Sequence, residues 1–243
     1  MTTAVIVGAS GACGRLVVNV LAKDTRISKI TAVVRSEQPA AFWFLEGSAE
    51  WAKVELLVVP DLKNLPAKLE YDIGFCCIGL YSANKPTEAF FEEVEVGLNT
   101  KAAEAMKAGG CQRCCYLSGA GVAPSKKFPM FSRVKGKAEA SLKQVGLPNF
   151  ATFRPPGIMD RVGKRVYGPP ESVINSCCRC CLSTSAFVRA EDIAWAMVQY
   201  SFAPADGVRE IYEAGDIKLQ GGRESLRHRA AAQPDALSAR HVT

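Results

Sequence analysis

The segment VIVGASGACG, residues 5–14, constrains the fold of this chain more than any other stretch. It places Gly8, Gly11 and Gly14 between an apolar run typical of a buried strand and a stretch with helical periodicity. The first glycine of such a loop permits a sharp turn, the second lets the backbone approach a pyrophosphate, and the third lets the helix pack close to the strand. A purely structural glycine turn is the alternative, but the flanking strand and helix favour a dinucleotide-binding loop at the helix N-terminus.

Apolar runs and helical stretches alternate along most of the chain. The predicted strands cover residues 3–9, 29–35, 54–59, 72–80, 113–119 and 149–155, and the predicted helices cover residues 13–22, 87–108, 129–145 and 190–200. Continuously apolar strands separated by helices are typical of a parallel sheet covered on both faces and joined by right-handed crossovers. We therefore predict an α/β fold with a doubly wound parallel sheet, the Rossmann fold, as one domain over residues 1–220 with a small C-terminal extension at 156–220.

The final stretch, residues 221–243, differs in composition from the rest of the chain. It has few apolar residues larger than alanine, and part of the net charge of +6 comes from its four arginines: Arg223, Arg227, Arg229 and Arg240. This composition predicts a flexible basic tail. Nucleic-acid binding needs clustered basic residues with interleaved aromatic residues, which the tail lacks, so we expect no nucleic-acid partner. No apolar run approaches the roughly 20 residues of a membrane-spanning helix, and we expect no membrane association.

The chain contains ten cysteines. A disulfide scaffold is typical of short, loop-rich secreted chains, whereas this chain is long and regular. The CCRCC segment at residues 177–181 is the densest cluster, and we interpret it as small hydrophobic side chains and not as a metal site. We therefore predict reduced thiols and a reducing, cytoplasmic location. The chain enters a strand almost at once, and we expect no signal or transit peptide before it.

The end of the second predicted strand indicates which dinucleotide the glycine loop binds. NAD-binding chains usually place an acid there to hold the ribose 2′-hydroxyl. This strand ends in VVRSEQ, which places Arg35 and Ser36 at that position. The Arg35 guanidinium is suited to pair with a 2′-phosphate. Arg15 lies at the start of the first helix, directly after the glycine loop, from where it could reach the same phosphate. We predict NADP(H) on this basis; a solvated Arg35 and an NAD site that uses Glu37 are the alternatives.

Further segments point to one family. The GxxGxxG spacing is that of short-chain dehydrogenases, and three other segments are distinctive: GFCCIG (74–79), AMKAGGC (105–111) and VKGKAEA (134–140); FRPPGIMDR (153–161) follows them. From Ala4 to Arg165 the chain resembles the atypical short-chain dehydrogenase/reductases of the Tat-interacting-protein oxidoreductase family, close to the NmrA-like group. The resemblance implies a Rossmann fold and NADP(H) binding. Some members are described as regulators that bind other proteins, including nuclear-transport factors.

The resemblance also implies roles for individual residues. Ser118 matches the serine that hydrogen-bonds a substrate carbonyl, and Lys135 matches the lysine that holds the nicotinamide ribose, so these two are the candidate catalytic residues. Asp61 is similar to the residue that contacts the adenine amino group, with a turn-capping aspartate as the alternative. The candidate cofactor-binding residues are Gly8, Ser10, Gly11, Cys13, Gly14, Arg15, Arg35, Ser36, Asp61, Cys77, Ile78, Gly79, Lys135, Pro155, Pro156 and Gly157.

One position departs from the family pattern. Four residues before Lys135, where the family has a tyrosine that donates a proton, this chain has Phe131. Both histidines lie in the tail, and neither Tyr116 nor Tyr81 occupies the family's position, although Tyr81 is close enough in the chain to swing toward the nicotinamide. Loss of a positioned acid lowers a rate by about 10²–10⁴-fold. We therefore expect a specialised or weak NADP-dependent oxidoreductase that acts on an unknown small carbonyl substrate.

A catalytically silent module is the alternative function. Such a module binds the cofactor and regulates or binds a protein partner; Phe131 favours it, whereas Ser118 and Lys135 favour the enzyme. An epimerase or dehydratase needs an acid near the position of Phe131, and the predicted helix supplies none there. The long helix at residues 87–108 is the candidate face for a homodimer.

Overall fold

The computed structural model describes residues 1–80, 87–125, 129–161, 187–204 and 209–232, and over residues 224–232 it describes the backbone alone. Tyr81, the CCRCC segment, Arg240 and His241 lie outside the described residues, and the side chain of His228 is not described. Among the helices in the described part, none is both long enough and apolar enough to cross a membrane.

One seven-stranded sheet forms the centre of the molecule. Its order is β3-β2-β1-β4-β5-β6-β9, and every neighbouring pair is parallel. The strand order therefore reverses beside β1, which is the position where doubly wound sheets open a crevice at their carboxyl ends. The predicted doubly wound parallel sheet is confirmed. Its strands are β1 (Thr2–Val7), β2 (Ile27–Val34), β3 (Val54–Val58), β4 (Ile73–Cys76), β5 (Arg113–Leu117), β6 (Asn149–Arg154) and β9 (Ile211–Glu213).

Helices cover both faces of this sheet. They are α1 (Ala12–Lys23), α2 (Glu88–Glu92), α3 (Asn99–Ala108), α4 (Met130–Val145), α5 (Ala190–Tyr200) and α6 (Ala214–Ala232). A π-helical stretch, Glu93–Leu98, joins α2 to α3, and short 3₁₀ turns cover Ala40–Trp43, Ala49–Lys53 and Leu62–Asn64. A separate pair of parallel strands, β7 (Gly157–Met159) and β8 (Phe187–Arg189), follows β6.

The side chains of β1 show why its sequence is continuously apolar. Ala4 and Ile6 pack in a core cluster that includes α1, α5 and α6. Val5 and Val7 pack in a second cluster on the other face, which includes α3 and α4. All four residues are fully buried, because successive side chains of a strand point to opposite faces and here both faces are covered.

The C-terminal part differs from what the sequence pattern predicts. The pattern predicts six strands, whereas the three-residue strand β9 adds a seventh beside β6; three residues are too few to show a strand periodicity. We expected a flexible tail from residue 221, but helix α6 continues through that position to Ala232. The helix is packed at Gly221, because a Cβ there would overlap the Asp192 carbonyl of α5. The two helices therefore pack closely at the residue where the tail was expected to begin.

Candidate functional site

The glycine loop has the geometry that its spacing predicts. Gly8 has a φ of +84°, in the left-handed region, and a Cβ there would lie 2.5 Å from the Cys77 carbonyl carbon. A Cβ on Gly14 would overlap the Gly8 carbonyl oxygen, so α1 packs against the end of β1 as closely as the backbones allow. Gly11 precedes the first turn of α1, and its N–H donates to the Gly8 oxygen at 3.1 Å. The loop thus brings the backbone of Gly11 to the crevice at the end of β1, beside Ala12 and Cys13.

A cleft of about 410 Å³ opens at the carboxyl ends of β4, β5 and β6, beside the glycine loop. It brings together these candidate residues from the sequence: Gly11, Cys13, Cys77, Ile78, Gly79, Ser118, Lys135, Pro155, Pro156 and Gly157. Phe131 lines it as well. The remaining lining residues had no role in the sequence prediction: Ala12, Leu80, Glu95, Leu117, Gly119, Ile158 and Arg161.

Ser118 provides an unsatisfied polar group in the cleft. Its backbone N–H donates to the Phe153 carbonyl at 2.8 Å, which fixes the residue at the end of β5. Its side chain is buried, and its hydroxyl has no hydrogen-bond partner within the described part of the chain. A buried polar group left without a partner costs about 1–3 kcal/mol. The hydroxyl is therefore suited to bond a group that enters the cleft.

Lys135 is buried on α4, and its ammonium has three acceptors. The Nζ atom lies 2.8 Å from Glu95 Oε2, 3.3 Å from the Leu117 carbonyl and 3.4 Å from Tyr116 Oη. Burial by itself lowers the pKa of Lys135, but the interactions with Tyr116 and Glu95 outweigh it and raise the pKa above the ordinary lysine value. Burial also raises the pKa of Tyr116, so its phenol is neutral at physiological pH. The carboxylate of Glu95 is thus the charge that holds the ammonium in place.

Glu95 is the functional residue that the sequence pattern misses. It lies on the π-helical stretch, is fully buried, and accepts a hydrogen bond from the Leu80 N–H at 2.9 Å through its second oxygen. Within this stretch the Asn99 side chain donates to the Glu95 carbonyl at 2.9 Å. A weak signal was present: Phe91, Glu95 and Asn99 recur every four residues on the buried side of the helix, where a carboxylate needs a partner.

The cleft contains no phenol or imidazole among its described lining residues. The Phe131 ring centroid lies 5.7 Å from Lys135 Nζ and 6.2 Å from the ring of Phe91. A Cβ on Gly119 would approach the Phe131 ring to 3.0 Å, so the backbone of this loop is close to the ring. Tyr116 contacts Lys135 but is fully buried and does not line the cleft.

The other candidate residues lie on the β2 and β3 side of the glycine loop, outside the cleft. Arg35 and Ser36 are exposed just after β2, and Ser10 is exposed in the glycine loop itself. The Asp61 carboxylate accepts a hydrogen bond from the Lys63 N–H at 2.9 Å, which is the turn-capping contact given above as its alternative role. Arg15 is buried, and its guanidinium lies over aromatic rings.

Comparison with known proteins is consistent with this architecture. A family model described as NAD(P)H-binding matches residues 8–176. Protein HTATIP2 of Rattus norvegicus is 30% identical over 151 residues, which are 62% of this chain and 60% of that protein. The mitochondrial protein FMP52 of Eremothecium gossypii is 29% identical over 154 residues, which are 63% of this chain and 64% of that protein. The chain therefore spans less than two thirds of the length of these curated relatives.

Solved structures share the fold at lower identity. The Bordetella bronchiseptica enzyme WbmH, solved in complex with NAD⁺, has a TM-score of 0.61 and 19% identity, over 88% of this chain and 75% of that one. At this identity the comparison shows the fold alone.

Proposed function

This chain belongs to the NAD(P)H-binding family, as its resemblance to the Tat-interacting-protein oxidoreductases indicated, and on that premise we propose that it is an NADP(H)-dependent oxidoreductase of specialised or weak activity. The observation that carries the proposal is the buried hydroxyl of Ser118, which lies in a cleft beside the glycine loop and has no hydrogen-bond partner among the described residues. A purely structural cleft would leave that hydroxyl unsatisfied, whereas a carbonyl oxygen or a ribose hydroxyl would satisfy it.

The residues present fit a nicotinamide dinucleotide. A bound nicotinamide supplies or accepts the hydride. The backbone of the glycine loop would hold the pyrophosphate, since Gly11 lines the cleft and a Cβ at Gly8 or Gly14 would overlap neighbouring backbone. Pro155, Pro156 and Gly157 would flank the nicotinamide. Ser118 would donate a hydrogen bond to the substrate oxygen and stabilise the negative charge that develops on it.

Proton delivery distinguishes this site from an ordinary carbonyl reductase. Phe131 carries no proton to give, and the phenol of Tyr116 is buried behind Lys135 with a raised pKa. The ammonium of Lys135 is a weak acid, because its pKa is raised and its three N–H groups have acceptors. We infer that the substrate oxygen takes its proton from water or from the substrate itself. Such a site suits slow turnover or a substrate that needs no protein acid.

The charge at the end of β2 supports the proposed preference for NADP(H). Arg35 is exposed and forms no salt bridge within the described residues, and no carboxylate pairs with the Arg15 guanidinium there either. Two arginines without carboxylate partners favour a 2′-phosphate, which forms charge-assisted hydrogen bonds with guanidinium groups. An NAD site would instead require an acid such as Glu37 to accept the 2′-hydroxyl.

The test is titration with NADPH and NADH, followed by NADPH oxidation with a panel of carbonyl compounds. We expect tighter binding of NADPH and slow oxidation with a subset of the panel. Ser118→Ala should leave NADPH affinity within about twofold and lower turnover by about 10²–10³-fold, the loss typical of one oxyanion donor. Ser141→Ala, on α4 and away from the cleft, is the matched control. If NADPH binds but no carbonyl is reduced by the wild type or by Phe131→Tyr, the oxidoreductase proposal fails and a cofactor-binding regulator remains.

A further inference from the structure

The side chain of Arg15 is buried against two aromatic rings, a contact that the turn of the glycine loop does not need. Arg15 is only 8% exposed. Its guanidinium carbon lies 4.3 Å from the ring centroid of Phe42 and 4.8 Å from that of Phe44. Both aromatic residues belong to the segment between β2 and β3, so α1 and this segment meet around one cation.

The segment is held in the conformation that presents both rings. Trp43, between the two phenylalanines, is fully buried in the core cluster that includes α1. The Asn19 amide of α1 donates to the Trp43 carbonyl at 3.1 Å. Phe44 has a φ of +59°, a left-handed conformation that a non-glycine residue adopts only where surrounding contacts stabilise it. Trp43 and Asn19 therefore anchor the segment, and the two phenylalanines flank the guanidinium.

The electrostatic balance around Arg15 is incomplete. No carboxylate forms a salt bridge with it in the described part of the chain, and its Nε is buried without a hydrogen-bond partner. Burial of the guanidinium lowers the pKa of Arg15, because the charged form has lost water. Aromatic rings engage the faces of a guanidinium and leave its in-plane N–H groups free, and the planar N–H fork matches phosphate oxygens. An anion that accepts hydrogen bonds from these N–H groups would stabilise such a buried cation.

We propose that Phe42 and Phe44 determine cofactor specificity: they hold the Arg15 guanidinium so that its N–H edge receives the 2′-phosphate of an adenosine ribose. This inference rests on the proposed NADP(H) function and adds the device that sets the preference. Arg35, at the end of β2 next to β1, supplies a second positive charge at the same edge of the sheet. Phe42 and Phe44 are positioning residues, since they act through Arg15.

The experiment compares dissociation constants for NADPH and NADH, and for adenosine 2′,5′-bisphosphate and adenosine 5′-monophosphate, in variants of the two rings. Phe44→Leu and Phe42→Leu should each weaken NADPH binding about threefold and the double variant about tenfold, the range expected for partly desolvated cation–π contacts. NADH affinity should change less than about twofold in each, which also reports that the variants fold. Phe44→Trp should preserve the preference, because a larger aromatic face keeps the contact. Phe90→Leu, which alters an exposed phenylalanine of α2, is the control.

The outcomes that would refute the role of the two rings differ from those that would refute the NADP(H) assignment. If Arg15→Ala or Arg35→Ala lowers the NADPH preference but the double phenylalanine variant keeps it, the role of the rings is refuted and the NADP(H) assignment stands. If the wild-type protein shows no preference for NADPH, the assignment itself fails and the rings have no specificity to set. Arg15→Lys should lose the preference although it keeps the charge; an unchanged ratio would mean that charge alone suffices and would overturn the proposal. Inorganic phosphate that competes as well with NADH as with NADPH would point to a general anion site and would also overturn it.

Discussion

Replacement of Glu95 by glutamine tests whether the buried ion pair with Lys135 organises the cleft. Glutamine keeps the size of the side chain and an oxygen that can accept from the Leu80 N–H, so the variant removes mainly the charge. Lys135 would keep only the Leu117 carbonyl at 3.3 Å and Tyr116 Oη at 3.4 Å, both longer than the 2.8 Å contact that is lost. An unpaired buried ammonium remains, and removal of one partner of a buried pair costs about 3–5 kcal/mol.

We expect Glu95→Gln to lower the free energy of unfolding by about 3 kcal/mol, the lower end of that range, because the amide oxygen keeps one hydrogen bond. For a domain of this size, the melting temperature should fall by about 6–12 °C. Urea denaturation followed by circular dichroism measures the first quantity, and thermal denaturation measures the second. Glu92→Gln breaks the partly exposed pair with Lys137 and is the matched control, with an expected loss within about 1 kcal/mol.

The pH dependence gives an independent check of the same pair. Folding raises the pKa of Lys135, so its contribution to stability is fully present below the pKa of an unfolded lysine, about 10.4, and is lost only as pH rises through the folded value. The difference in stability between wild type and Glu95→Gln should therefore be constant from pH 7 to about pH 9. The reasoning is refuted if Glu95→Gln costs no more than Glu92→Gln, or if Glu95→Gln and Lys135→Met are additive when combined.

Three further outcomes are expected. Phe131→Tyr should raise turnover of carbonyl compounds by about 10-fold or more in single-turnover NADPH oxidation, and no change with cofactor bound would show that a phenol at this position is not the missing acid. Gly14→Ala should abolish cofactor binding or folding because its Cβ overlaps the Gly8 carbonyl, whereas Gly222→Ala, in open space, should do neither; NADPH titration and circular dichroism distinguish them. Burial raises the pKa of Cys13 to about 11, so its alkylation, followed by peptide mass mapping, should be slow at pH 7 and rise steadily with pH; fast labelling at pH 7 would contradict its burial.

The glycine loop and Glu95 show which kinds of feature a sequence reveals. The three glycines lie within seven residues, a Cβ at Gly8 or Gly14 would overlap neighbouring backbone, and one at Gly11 would lie 3.2 Å from the Gly8 oxygen, so their spacing carries the signal. Glu95 and Lys135 are 40 residues apart, and only the packing of the π-helical stretch against α4 brings them together. Asp61 is an intermediate case, because the contact observed for it is the local cap of a turn, which the sequence indicated as its alternative role.

The sequence by itself determined the parallel sheet, the glycine loop and the group of residues that meets at the carboxyl ends of the strands. These depend on hydrophobic periodicity and on the glycine spacing of one short loop, and both can be recognised within a short stretch of sequence. The tertiary structure alone decided the partners of the charged groups. The charge of Lys135 pairs with Glu95, and Arg15 lies over Phe42 and Phe44 with no carboxylate partner among the described residues. These partners are distant in the chain, so only the packing of separate elements brings them together.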